Sequence, residues 1–169
     1  QTFIDNLVAE ANIPVEFSKE CLEQAESVEE IIRPDELTDR TDLRHLTFVT
    51  IDGADAKDFD DAVYVDMVDG IFNLYVAIAD VAHYVTPNSP LDHDAYLRGT
   101  STYFPKQVIP MLPERLSNGI CSLNPNVDRL VMCCQMRITL DGKILDYEVY
   151  NAVINSKARL TYAKVEEWI

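Results

Sequence analysis

Residues 46–65 read LTFVTIDGADAKDFDDAVYV. Two short apolar, β-branched runs, Leu46–Ile51 and Ala62–Val65, bracket a loop that holds five aspartates within ten residues: Asp52, Asp55, Asp58, Asp60 and Asp61. Runs of this kind are expected to be strands anchored in a core. Asp52 then ends one strand and Asp61 begins the next, so the carboxylates between them are held close together. An ordinary acidic turn would be flanked by more polar sequence. Crowded carboxylates repel and raise one another's pKa unless a cation neutralises them.

The simplest relief is a hard divalent ion with oxygen ligands. Asp is short and holds an ion close to the backbone. Mg²⁺ takes few protein carboxylates and completes its shell with water and substrate phosphate. More Asp than one Mg²⁺ requires leaves two ions, or one ion with a general base, and two-metal sites serve phosphodiester hydrolysis. The plain alternatives are a solvated acidic turn and a structural calcium loop. An EF-hand fails on spacing: counting from Asp58, Ala62 falls where the fifth ligand belongs and Val63 where glycine is needed. Asp55, mid-loop beside small residues, is expected to face solvent.

The 169 residues suit one domain with an appendage, at 47% apolar and 25% charged. A net charge of −15 read in bulk argues against a polyanionic partner. Its distribution says otherwise. Residues 1–44 carry −8, residues 52–69 carry −6, and the hundred residues from 70 onward carry only −1. No run of 18 apolar residues exists to span a membrane, and the start lacks the basic and apolar regions of a signal peptide. It also lacks an initiator Met, as a fragment would. Cys21, Cys121, Cys133 and Cys134 form no CxxC pair, and no His stands at zinc-ligand spacing, so the thiols are expected to be reduced and the protein cytoplasmic.

Outside the acidic loop, Thr2 with Asp5 resembles a capping box for a helix that Pro14 ends. Ser18 caps a second, stopped by Pro34, and the polar residues 34–44 read as a linker. Phe72–Val81, FNLYVAIADV, reads as a strand buried on both faces. Ser89-Pro90 starts a helix and Arg98-Gly99 ends it. Residues 101–113 read as a proline-braced loop and 113–118 as a short helix. Residues 129–140 and 144–154 read as a hairpin turned at Asp141-Gly142. Thr161 caps a final helix running to Ile169. Asp80 is expected to be buried and hydrogen-bonded, Cys133 and Cys134 to be core, and His45, His83 and His93 to be structural or surface residues. Arg98 could reach a phosphate or its own helix dipole, while Lys106, Arg115 and Arg129 could line an RNA path but read more readily as solvated surface charges.

Several blocks, in order, resemble one family. They are IDGADAKDFDDAVYV at 51–65, VAIADVAHYV at 76–85, LDHDAYLRGTSTYFP at 91–105, VIPMLPERLSNGICSLNP at 108–125 and ARLTYAKV at 158–165. From Asp42 to about Lys164 the chain is similar to the beginning of the catalytic RNB domain of the ribonuclease II/ribonuclease R exoribonucleases. The FDD and YFPKQVIPMLPE blocks place the nearest likeness with the bacterial ribonuclease R members. The resemblance implies Mg²⁺-dependent, processive hydrolysis of single-stranded RNA from its 3′ end to nucleoside 5′-monophosphates. It carries the family's four site aspartates onto Asp52, Asp58, Asp60 and Asp61. Of these, Asp52, Asp58 and Asp61 are expected as metal ligands and Asp60 as essential to the chemistry. A base-stacking tyrosine falls on Tyr103, and stacking is the sequence-tolerant grip such an enzyme needs.

The expected fold is α+β: a mixed β-sheet with flanking helices, a partial RNB-type core over residues 45–169, and a helical lead-in and linker over 1–44. The family's domain continues beyond this stretch, with another metal-site acid, a catalytic arginine and a second stacking tyrosine. The chain by itself is therefore expected to be inactive or nearly so, and the exposed sheet to favour self-association. A second reading of the same residues is a non-catalytic metal-binding or RNA-scaffolding module of this fold; the presence of all four aspartates speaks against it.

Overall fold

The computed structural model describes residues 3–105 and 107–169. Its strands are β1 (Thr41–Asp42), β2 (Val49–Asp52), β3 (Asp61–Val68), β4 (Ile71–Ala79), β5 (Thr102–Phe104), β6 (Gln107–Ile109), β7 (Asp128–Thr139), β8 (Ile144–Asn155) and β9 (Ala158–Thr161). Its helices are α1 (Phe3–Glu10), α2 (Lys19–Ser27), α3 (Val81–Tyr84), α4 (Pro90–Arg98) and α5 (Tyr162–Glu166). The chain divides into two compact units that interleave in sequence. One runs up to Glu29 and resumes over Ala82–Ser117; the other comprises Glu30–Val81 and Asn118–Ile169.

The second unit holds a seven-stranded mixed sheet in the order β1-β8-β7-β4-β3-β2-β9. The β1–β8 and β2–β9 pairs are parallel and the rest antiparallel. This is the mixed sheet with flanking helices expected from the sequence. Asp69 and Gly70 both take positive φ at the β3–β4 turn, where Asp-Gly suits a two-residue hairpin. Gly142 does so between β7 and β8, at the expected Asp-Gly turn. Alternation along the strands sorts the sheet into two faces. Ala62, Ala77, Cys133 and Ala152 point into a core with Leu43, Phe48, Phe59, Leu123, Val131 and Ile154, and Tyr64, Tyr75 and Tyr150 pack at its margin.

The opposite face is also apolar, covered at Leu130 and Val153 but largely open beyond them. Val65 and Met67 on β3, Ile78 on β4, Met132 on β7 and Val149 on β8 are all exposed, by 46–58%. The register sets Ile78 against Met132, and Val149 beside Cys134. This corrects the reading of Phe72–Val81 as buried on both faces: the run is nearly continuously apolar, yet the buried residues of β4, Ala77 and Ala79, lie on one side and the strand ends at Ala79. A continuous apolar run marks a sheet with two apolar faces, not a sheet with two covered ones. Within residues 34–44, a 3₁₀ turn over Pro34–Leu37 and strand β1 stand where the polar sequence reads as linker.

The first unit bears out the helix caps. Ser18 Oγ accepts from Cys21 N–H at 3.2 Å. Ser89 Oγ accepts from Asp92 N–H at 3.2 Å, Pro90 occupies the first turn, and Gly99 closes α4 in the left-handed conformation. Thr2, the expected cap of α1, lies outside the described residues. The proline-braced loop carries the small hairpin β5–β6. Residues 115–120 form a wide π-type turn, displaced two residues from the expected short helix and broken at Gly119. In the second unit Thr161 caps α5, accepting from Lys164 N–H at 3.3 Å, but the helix stops at Glu166.

Candidate active site: a carboxylate knot between two strands

Asp52 is the last residue of β2 and Asp61 the first of β3, as the sequence reading placed them. The loop between them is held by backbone bonds and not left as a solvated acidic turn. Ala56 N–H donates to Gly53 C=O at 3.1 Å, and Ala79 N–H to Asp60 C=O at 2.9 Å. Phe59 is the anchor, its ring 3% exposed in the core. Its N–H donates to Ser122 Oγ at 3.0 Å, and its C=O accepts from Leu123 N–H at 2.8 Å. Asp58 and Asp60 flank this anchor on either side. Asp52 and Asp58 are half-buried, and Asp55, Asp60 and Asp61 are exposed.

The electrostatics follow from this packing. Desolvation raises the Asp52 carboxyl above the ordinary Asp range, and the charges of Asp61 and Asp58 raise it further, against a lowering by Arg159. Asp60 is raised first by desolvation and then by Asp58, Asp61 and Asp52. Asp58 and Asp61 thus contribute to both shifts and Asp52 to that of Asp60, whereas Asp55 contributes to neither. Arg159 on β9 supplies the local positive charge. It donates to Gly53 C=O at 3.4 Å and to Ala54 C=O, and its guanidinium lies 5.1 Å from the centre of the Phe59 ring. Sequence reasoning did not single out Arg159 or Ser122, although both stand in quoted blocks, because each acts across more than 60 residues of sequence.

The donor set suits a hard divalent cation: short carboxylates, with Asp52 Oδ2 buried and without a hydrogen-bond partner. As arranged, no three or more His, Cys, Asp or Glu side chains among the described residues stand at metal-holding spacing. Mutual repulsion is reason enough for carboxylates to stay apart until a cation offsets it. The sign of the linkage is definite. An acid whose folded-state pKa is raised favours folding below its ordinary pKa, and that contribution is lost as pH rises through the folded value. At neutral pH the knot therefore opposes folding. Millimolar Mg²⁺ or Mn²⁺ is expected to raise the melting temperature, by an amount corresponding to about 2.7 kcal/mol at a hundredfold excess over Kd. Asp52→Asn is expected to raise the metal-free melting temperature and to abolish most of the metal-dependent gain, as differential scanning calorimetry can measure.

The remaining expected residues separate from this group. Tyr103 stands on β5 in the other compact unit, paired with Val108 and 64% exposed. Arg98 is occupied by protein: it donates to the carbonyls of Pro14, Val15 and Pro110 and stacks 3.6 Å from the Phe17 ring centre. Arg115 and Arg129 are not solvated charges. Arg115 donates to the Ala25 and Val28 carbonyls. Arg129, 8% exposed, donates to the carbonyls of Ser122, Asp128 and Gly119. Lys106 lies outside the described residues. His45 and His93 are exposed, and His83 packs edge-on against Tyr84. Asp80 is held by Arg40 at 2.6 Å, as a buried structural acid should be. Cys133 is core and Cys134 half-buried.

Residues 40–169 match the RNB domain. The chain is 50% identical over 164 residues to Ribonuclease R 1 of Lactococcus lactis, covering 96% of this chain and 20% of that protein. It is 51% identical over 163 residues to Ribonuclease R of Escherichia coli, with 96% and 20% covered. Among solved structures it is similar to Mycoplasma genitalium RNase R in complex with ribose-methylated single-stranded RNA. That likeness has a TM-score of 0.93 at 40% identity and covers 98% of this chain and 26% of the other. The chain thus spans about a fifth of the length of the curated relatives it matches.

Proposed function

The chain belongs to the RNB-domain family, and on that premise we propose that it supplies the carboxylate half of the active site of a 3′-to-5′ exoribonuclease. The activity is processive hydrolysis of single-stranded RNA to nucleoside 5′-monophosphates with Mg²⁺. The observation that carries this reading is the knot itself: burial and neighbouring aspartates together oppose ionisation of Asp52 and Asp60, around the unpartnered Asp52 Oδ2. A scaffold has no use for that repulsion.

Asp52, Asp58 and Asp61 are the residues that would hold Mg²⁺, which when bound polarises the phosphodiester and offsets the charge that builds on it. Asp60, whose carbonyl is tied to Ala79 N–H, presents the carboxylate that acts on the reacting atoms. Arg159 limits the local negative charge that would otherwise repel the phosphate. Tyr103, exposed on its hairpin, offers a stacking surface for a base near the 3′ end, worth roughly 1–3 kcal/mol. The free cysteines fit the reducing cytoplasm, and burial pushes the Cys121 thiol to about 12 and Cys133 to about 11, so neither is a ready thiolate. No helix among the described residues is long and apolar enough to cross a membrane.

The test is end-labelled RNA with a full-length protein carrying this segment. A 3′ label should leave as mononucleotide at the earliest times while a 5′ label persists in shortening RNA, and EDTA should stop both. Internal cleavage, release from the 5′ end, or indifference to EDTA would sink the proposal. The segment alone, spanning a fifth of such proteins, is expected to show little or no hydrolysis.

Its uncovered sheet face should also make the isolated chain self-associate, because an apolar patch of this extent seeks cover. Sedimentation velocity should show concentration-dependent dimers or larger species. The double variant Met132→Lys with Val149→Lys should return a monomer with unchanged circular dichroism. A wild-type chain that stays monomeric at high concentration counts against the association.

A further inference from the structure

We propose that Ser122 is a positioning residue for the carboxylate knot, its hydroxyl setting the backbone from which Asp58 and Asp60 project. This rests on the metal-dependent reading of the knot. Ser122 is fully buried. Its Oγ accepts from Phe59 N–H at 3.0 Å and donates to Lys57 C=O at 2.8 Å. These two groups lie immediately before and after Asp58, so one hydroxyl grips the main chain on both sides of that acid. The next residue adds a third grip, Leu123 N–H on Phe59 C=O at 2.8 Å.

The grip is itself braced from the sheet. Ser122 N–H donates to Gly119 C=O at 3.0 Å. Arg129 at the start of β7 donates through Nε to Ser122 C=O at 2.8 Å and through Nη2 to Gly119 C=O at 3.2 Å. A continuous line of hydrogen bonds thus runs from β7, through a buried guanidinium and a buried hydroxyl, to the backbone on either side of Asp58. Partners that orient metal ligands typically matter 10–100-fold in metal affinity.

Ser156, buried in the same unit, with a hydroxyl that donates weakly to Ala158 C=O at 3.4 Å, is the matched control. Two readouts are taken on the chain: Mn²⁺ affinity by electron paramagnetic resonance, and amide exchange of Phe59 in metal-free protein. Ser122→Ala should weaken Mn²⁺ binding 10–100-fold and strip protection from the Phe59 amide. Ser156→Ala should leave both as in wild type. Retained Phe59 protection in Ser122→Ala, or Mn²⁺ affinity within twofold of a wild type that binds, overturns the proposal. A wild type that binds no Mn²⁺ defeats the metal reading alone, and Phe59 exchange then decides the positioning role by itself. If Ser122→Ala does not fold, Ser122→Thr, which keeps the hydroxyl, takes its place. Affinity within about threefold supports the proposal, and a tenfold loss with native circular dichroism overturns it.

Discussion

Asp60→Asn in a full-length active protein is expected to lower kcat by about 10²–10⁴-fold, the range for losing a positioned acid–base group, while leaving RNA affinity nearly unchanged. The substitution keeps the shape of the side chain and removes only the charge. The fold has no need of that charge: desolvation and three neighbouring aspartates all work against it. A group kept ionisable where its surroundings oppose ionisation is a mark of function more than of stability. The variant should therefore be at least as stable as wild type without metal, which separates a chemical loss from misfolding. Single-turnover hydrolysis and a filter-binding isotherm for the same RNA would check both halves. Activity within a few-fold of wild type would remove Asp60 from the chemistry and return the knot to a structural role.

The knot was the most legible part of the chain because its evidence is local. Leu46–Ile51 and Ala62–Val65 are apolar and β-branched, and the aspartates between them are confined to one short loop. Helix ends at Ser18, Ser89 and Gly99 were readable for the same reason, since a cap and its partner lie within four residues. What escaped was non-local. Ser122 and Arg159 reach the loop across 63 to 106 residues, and nothing in their own neighbourhoods announces it. Arg129 was misread because a charge next to an apolar run looks like a surface residue, yet its planar fork, itself buried, satisfies three carbonyls at once. The four-residue strand β9 pairs in parallel with β2 and carries no alternation long enough to detect. The −15 charge changes meaning on the same grounds: its densest part, −6 over residues 52–69, falls on the proposed site, where a cation would offset it.

Asp80→Ala is expected to cost about 3–5 kcal/mol of stability, the usual penalty for leaving one member of a buried ion pair alone. Arg40 Nη2 donates to Asp80 Oδ2 at 2.6 Å, with the two side chains 7% and 12% exposed. The same guanidinium donates to Glu36 C=O at 3.1 Å and Ala152 C=O at 3.5 Å, so it joins the 3₁₀ turn, β8 and the end of β4. Without Asp80 the buried guanidinium loses its 2.6 Å carboxylate partner while keeping the Glu36 and Ala152 carbonyls. At this chain length the loss corresponds to a melting-temperature drop of roughly 6–20 °C. The pair also lies one residue from the site: Asp80 N–H donates to Leu130 C=O, and Ala79 N–H beside it holds Asp60 C=O. Loosening the end of β4 should thus lower activity as well as stability. Replacing both partners, Arg40→Met with Asp80→Leu, removes the orphaned charge and should recover most of the stability, since apolar replacement of buried pairs is often neutral or better. Urea denaturation of the three proteins closes the cycle. A cost below about 1 kcal/mol for Asp80→Ala, the range of exposed pairs, would mean that water reaches the pair and that β4 is held by its ladder bonds alone.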